Sequence, residues 1–288
     1  GACALSGVYY LVIYMLGFGF SVGAQVMMAR RHGSGEHRRM GEVFNQGLLF
    51  MLGFAALMFV LSHLYSPALL SRLIESEAVL QATNDYIYWR VFGFFFSFVA
   101  LMFRAFFVST THTRTLTVNS LVMVGTNVVL NYVLIFGKLG FPALGISGAA
   151  IASSVSEAVS TVFFLIYTLR RVDYRRYGLF VHCRINWPML RHVMSVSVWV
   201  MIQNGVAFLG WFVFFVAMEH HGERSLAVTN IVRSISSFLF MFVNAFASTN
   251  SSLVSNLIGA QKHDEVLPMC RRTIRLCYAF VVPAGILM

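Results

Sequence analysis

Apolar runs of about 20 residues, separated by short polar breaks, fill most of the chain, and a run of that length crosses a bilayer as a helix. They lie near residues 4–29, 43–63, 86–108, 115–137, 144–168, 193–218 and 226–257, and an eighth opens near Leu276. Too few residues follow Leu276 to cross hydrocarbon, so the chain is expected to stop inside the membrane. The pattern predicts an all-α, polytopic membrane protein.

Polar residues within these runs stand out, because each is costly in hydrocarbon and should face a protein interior or a wet cavity. Residues 126–136 place Asn127 and Asn131 about one turn apart on one helix face, and residues 148–157 do the same for Ser153 and Glu157. Among the acidic residues, only Glu157 sits well inside a run. A carboxylate at that depth needs a proton, a cation or a basic partner, which makes Glu157 the leading candidate to handle a coupling ion. The alternative is a protonated side chain bonded to a neighbouring helix. Asn127 and Asn131 serve either as ion ligands or as interhelical glue. Gln203 and Asn204 are adjacent, so they point about 100° apart and only one amide can face a shared cavity.

Residues 226–257 carry Asn230, Arg233, Asn244, Asn250 and Asn256, too polar a set for lipid, and this span is expected to line the centre. Arg90 and Arg104 lie close to span ends, where long basic side chains reach the interface, and both are expected to be structural. The aromatic run at residues 91–97 is expected to pack against lipid.

Composition changes the picture in one respect. With 58% hydrophobic and 11% charged residues and a mean hydropathy of +0.74, the chain lies far outside the soluble range. A net charge of +10 would suggest nucleic acid in a soluble protein, but here the basic residues are confined to breaks, so no nucleic-acid partner is expected. Most of the 21 Lys and Arg fall in alternate breaks, placing those on the cytoplasmic side and the Gly1 end outside. One more helix is then expected ahead of Gly1. Histidines lie in or beside breaks, in no metal-hydrolase motif, which disfavours a membrane-embedded enzyme. Cys3, Cys183, Cys270 and Cys277 follow no ligand spacing and read as free thiols.

The loop Gly-Ser-Gly-Glu-His at residues 33–37 resembles Gly-Ala-Gln-Lys-His-Asp at residues 259–264, as in a parallel internal repeat. Residues 1–169 are then a first bundle and residues 193–288 part of a second. Residues 170–192 form a cytoplasmic linker, with a short interfacial helix opening at Asn186, Trp187 and Pro188.

The Asn-x-x-x-Asn helix, the entry Gly-Ile-Ser-Gly-Ala-Ala-Ile-Ala-Ser at residues 145–153 and the two glycine loops together resemble the multidrug and toxic compound extrusion (MATE) transporters, over essentially the whole chain. The resemblance implies twelve helices in two six-helix bundles around a central cleft, here helices two to eight and part of the ninth. It implies a plasma (inner) membrane antiporter, taken as a monomer, that exports organic cations in exchange for H⁺ or Na⁺ and needs no further cofactor. Asn127 falls on the family's cation-site asparagine, Ser153 on a position often filled by Thr, and Asn131 where many prokaryotic members carry Asp. Gln203 and Asn204 lie near where another branch carries a coupling Glu. Either Glu157 replaces one of these acids, or the absent first helix supplies the charge. The alternative on the same plan is a lipid-linked-oligosaccharide flippase, which calls for a strongly cationic cavity; Arg233 is the one expected lining cation.

Overall fold

An apolar run inside hydrocarbon can satisfy its backbone N–H and C=O groups only internally, and the runs fold as helices. The computed structural model describes residues 2–71, 77–181, 185–219 and 223–287, and among these there is no strand. Arg72, Glu75, Cys183 and Arg184 lie outside the described residues, as do the side chains of Cys3, Glu219, Glu223, Arg224 and Asn230. The helices are α1 (Ala2–Gly33), α2 (His37–Leu70), α3 (Glu77–Arg90), α4 (Gly93–Ser109) and α5 (Arg114–Phe136). They continue with α6 (Gly145–Arg171), α7 (Tyr174–Tyr177), α8 (Trp187–Glu219), α9 (Glu223–Gly259) and α10 (Val266–Leu287).

Three boundaries differ from the sequence expectation. The span placed at 86–108 begins at Glu77 and is two helices, α3 and α4, bent by 49° across Val91 and Phe92. Its polar start hid it from a hydropathy window. Trp187 opens the long helix α8 rather than a separate interfacial one: Pro188 suits the first turn, and Asn186 Oδ1 accepts from Met189 N at 3.2 Å. The short helix of the linker is instead α7, whose Asp173 cap accepts from Arg176 N at 3.2 Å. Finally, α10 starts at Val266, well before Leu276, because Arg271, Arg272 and Arg275 lie on its exposed face.

Helix α1 is the packing hub, in contact with α2, α3, α4, α8 and α9. Around it Phe20, Phe44, Phe94, Phe98, Met28 and Met102 are fully buried. The aromatic run at 91–97 therefore divides between two faces: Phe94 is buried and stacks on Tyr10 at 4.6 Å, while Phe92 and Phe96 are exposed. On α5, Leu121, Val124, Val128 and Val129 are exposed, a surface suited to acyl chains and not to water.

The two glycine loops meet. Ser34 N bonds Arg30 O, Gly35 N bonds His32 O and Glu36 N bonds Arg31 O, at 3.1, 3.1 and 2.9 Å. Ala260, Gln261 and Lys262 make the corresponding bonds to Asn256, Ile258 and Leu257, at 2.9, 3.1 and 2.9 Å. Both are left-handed helix terminations, with φ of 75° at Gly35 and 60° at Gln261. The contact is reciprocal: a Cβ on Gly33 would overlap the Asn256 carbonyl, and one on Gly259 would overlap the Arg30 carbonyl. Gln25 locks the same crossing, donating to Ser252 Oγ at 2.8 Å, and Asn256 Nδ2 donates to Ser109 O at 3.0 Å. Replacing Gly33 or Gly259 with Leu is expected to force these turns apart. The check is a spin-label distance between Ser34→Cys and Ala260→Cys, which lengthens by several ångströms, about one side-chain layer, if the backbone contact is what closes this end.

Candidate functional site

Two polar clusters lie inside the first six helices. In the first, the stagger of α5 on α6 brings Asn127 and Asn131 against Ser153 and Ser156. Asn131 Nδ2 donates to Asn127 Oδ1 at 2.9 Å, and Asn127 Nδ2 donates to Ser156 Oγ at 3.1 Å and Ser153 Oγ at 3.4 Å. Asn131 Oδ1 is left buried with no partner. A carbonyl oxygen held dry and unbonded costs free energy unless a donor or a cation meets it. Asn127, Asn131 and Ser153 face protein here rather than acyl chains.

The second cluster holds Glu157, and its partners are not those three. Arg90 Nη2 donates to Glu157 Oε1 at 2.6 Å and Nη1 to Oε2 at 2.8 Å, a bidentate pair whose side chains are 11% and 16% exposed. The Arg90 guanidinium also lies 3.6 Å from the Tyr10 ring centroid. Tyr10 Oη donates to Glu157 at 3.1 and 3.2 Å and shares a 2.5 Å bond with Ser97 Oγ. Planar guanidinium on planar carboxylate satisfies both charges at a depth where water is scarce. The bend after α3 makes the geometry attainable, and Gly93 leaves the room: a Cβ there would overlap both Arg90 Nη1 and Glu157 Oε2.

Arg90 was expected to reach the interface, and it turns inward instead. The physical reason is the true start of α3 at Glu77, which puts Arg90 at the middle of its bent span rather than near its end. Arg104, also expected at an interface, lies within α4 with its guanidinium 5.1 Å from the Phe18 ring centroid. Both arginines line a cavity of about 530 Å³ bounded by α1, α3, α4, α5 and α6, with Tyr10, Tyr14, Asn119 and Glu157 on the same wall. Arg233, expected to line the centre, is exposed on α9. Of the other α9 asparagines, Asn244 bonds its own helix at Phe240 O and Asn250 reaches Cys270 Sγ at 3.7 Å.

Gln203 and Asn204 sit apart from both clusters, on α8, which packs against α1. Gln203 is exposed; Asn204 is partly buried, with a buried Nδ2 that has no partner. Sequence reasoning missed Tyr10, Arg90, Arg104, Asn119 and Ser156. The readable signal for Arg90 was an arginine near a helix break with an acid stranded in a later span.

Long helices with polar groups gathered inside and apolar side chains outside define a polytopic all-α membrane protein; five described helices are long and apolar enough to cross a membrane, six if the bent pair counts as one span. The chain belongs to the MATE family, transporters rather than enzymes: the MatE family model matches residues 1–133 and 190–288. It is 26% identical over 291 residues to the probable multidrug resistance protein NorM of Synechocystis sp., covering 99% of this chain and 62% of that protein. It is 24% identical to the NorM protein of Agrobacterium fabrum, covering 83% and 52%. A solved structure described as the outward-facing conformation of a multidrug resistance MATE family transporter of the MOP superfamily superposes with a TM-score of 0.82 at 17% identity, covering 96% of this chain and 60% of that one. The chain thus spans less than two thirds of the length of each of these proteins.

Removing one member of the buried pair, by Arg90→Met or Glu157→Leu, is expected to cost about 3 kcal/mol of stability, because the other charge is stranded. The double change Arg90→Met with Glu157→Leu is expected to cost less than the sum. Denaturant unfolding in mixed micelles reads the cycle, and additive losses would show that the two side chains do not depend on each other.

Proposed function

We propose that this protein exports small amphipathic organic compounds across the plasma membrane as a secondary active antiporter, exchanging them for H⁺ or Na⁺ by alternating access. The observation that carries the reading is the amide and hydroxyl cluster of Asn127, Asn131, Ser153 and Ser156, held between α5 and α6 in a MATE-family chain with Asn131 Oδ1 unbonded. An ion there gains Asn131 Oδ1, and takes Asn127 Oδ1, Ser153 Oγ or Ser156 Oγ only by displacing the amide donors that now occupy them. The multidrug-resistance names of its relatives support the class of cargo.

The basic end, with Arg30, Arg31, Arg170 and Arg171 at its helix termini, is the cytoplasmic one. With Gly33 and Gly259 in backbone contact there, the arrangement is closed to the cytoplasm. Glu157 enters through its pairing: breaking the contact would release Arg90 from its described acidic partner and bias the bend between α3 and α4 toward another arrangement. A monomer suffices for this. A lipid-linked-oligosaccharide flippase is the second reading, favoured by Arg90 and Arg104 on the cavity wall.

The test is efflux of a fluorescent drug from proteoliposomes carrying the full-length protein under an imposed Na⁺ or pH gradient. Asn131→Leu is expected to reduce gradient-driven efflux by about tenfold or more, equivalent to about 1.4 kcal/mol of lost coupling. Glu157→Gln, which breaks the pairing with Arg90, is expected to reduce gradient-driven efflux as well. Wild-type coupling in both variants would remove these side chains from the mechanism.

A further inference from the structure

The linker between the two bundles is fastened along one face of α2. His37, Gly41 and Asn45 stand about one turn apart on that face, and each meets the linker in order. Arg176 Nη2 lies 2.8 Å from His37 Nε2, and a Cβ on Gly41 would overlap the Tyr177 carbonyl. Asn45 donates to Gly178 O and accepts from Phe180 N, both at 2.9 Å. Beside it, Gln46 Oε1 accepts from Asn186 N at 2.8 Å, where α8 begins. All four are contacts made between described residues.

Three of the four are blind to pH, and the first is not. A guanidinium offers only N–H groups and keeps its charge, so His37 Nε2 has to accept from Arg176. The ring is then neutral, with its hydrogen on Nδ1. A second proton would set N–H against N–H and cation against cation. An imidazole takes up that proton between about pH 5 and 8, where no other unperturbed side chain titrates.

The groups around the ring do not relieve the conflict. From α1, the His32 ring lies 5.6 Å from that of His37, and His112, in the turn after α4, is within electrostatic reach of His32. From α7 come Arg176 and the edge-on ring of Tyr177 at 5.2 Å, while Asp173 is engaged in capping α7. Arg38, Arg39 and Glu36 stand beside His37 at the start of α2, and the Glu36 carboxylate pairs with Arg39 and Arg31. His37 is also tied to the first glycine loop, since its N donates to Gly35 O at 2.9 Å. Helix α7 therefore buttresses the loop whose backbone meets Gly259.

We propose that His37 and Arg176 form a pH-sensitive latch: acidification of the cytoplasm lifts α7 from α2, and the first glycine loop, its buttress gone, parts from the second. The latch is closed while His37 is neutral and is lost as pH falls through the titration of that ring. It lies apart from the amide cluster and the cavity, and it acts whatever the cargo and the coupling ion.

Pulsed electron-spin distances on the full-length protein in nanodiscs, with its native cysteines replaced by Ser, read both motions. Arg175→Cys on α7 and Thr113→Cys ahead of α5 are exposed sites outside the contact, and Ser34→Cys with Ala260→Cys reports the glycine loops. From about pH 7.5 to about pH 5.5, both distances are expected to lengthen by several ångströms. His37→Gln, whose side-chain oxygen still accepts from Arg176 but takes up no proton, is expected to keep both short at either pH. His37→Lys is expected to lengthen both already at about pH 7.5, and His32→Gln to leave the response in place. Distances that ignore pH while His37 is intact would overturn the proposal, even if the variants fail to fold. So would a response that survives His37→Gln or is abolished by His32→Gln. Movement of α7 that leaves the glycine loops together would overturn it as well. No ion gradient or cargo is present, so failure of the antiport reading and failure of the latch are separate results.

Discussion

A charge carried into hydrocarbon has to be cancelled where it stands, and the rest of the first six helices is arranged so that Arg90 and Glu157 can do this. The two residues come from α3 and α6, far apart in sequence, and meet in a bidentate geometry with Tyr10 of α1 closing the third side. That contact needs α3 to end where it does, α4 to leave at 49°, and position 93 to lack a side chain. Such a pair adds little net stability, since desolvation offsets much of the attraction. What it supplies is specificity: any other register of α3 on α6 would leave two bare charges in the membrane.

A different constraint governs the contact between the early and late helices. There the backbones touch, at Gly33 on one side and Gly259 on the other, through turns that repeat each other bond for bond. Contact between backbones is short-ranged and leaves no room for a side chain. Polar bonds from Gln25 and Asn256 make it specific without an ion pair. The Arg90 and Glu157 contact, by contrast, holds α3 and α6 in register through charge.

The two clusters differ in chemistry. At Asn127, Asn131 and Ser153 amides and hydroxyls bond one another without carrying charge. The guanidiniums of Arg90 and Arg104 border the cavity, Arg90 in an ion pair with Glu157. The clusters share a helix, since Asn127 and Asn131 sit on α5 beside Ser153 and Ser156 of α6, the helix that also holds Glu157.

The class of the protein was settled by the sequence alone, because hydrophobic length and the backbone's need for internal hydrogen bonds leave no alternative to a bundle of spanning helices. The glycine-loop repeat was legible for a different reason: Gly33 and Gly259 recur because their backbones touch and leave no room for a Cβ, while the left-handed positions, Gly35 and Gln261, differ in residue type. The pairing of Asn127 with Asn131 was legible too, being one helical turn. Only the tertiary structure decided what Glu157 meets. Its spacing from Ser153 drew attention to α6, but four residues on a helix set a direction and not a partner. Arg90 lay hidden because the polar start of α3 blurred its length, and Arg104 because a hydropathy pattern cannot tell an arginine that snorkels from one that turns inward. Charge pairing across helices distant in the chain depends on how those helices cross, and crossing is fixed by packed side chains and glycine gaps that no local pattern records.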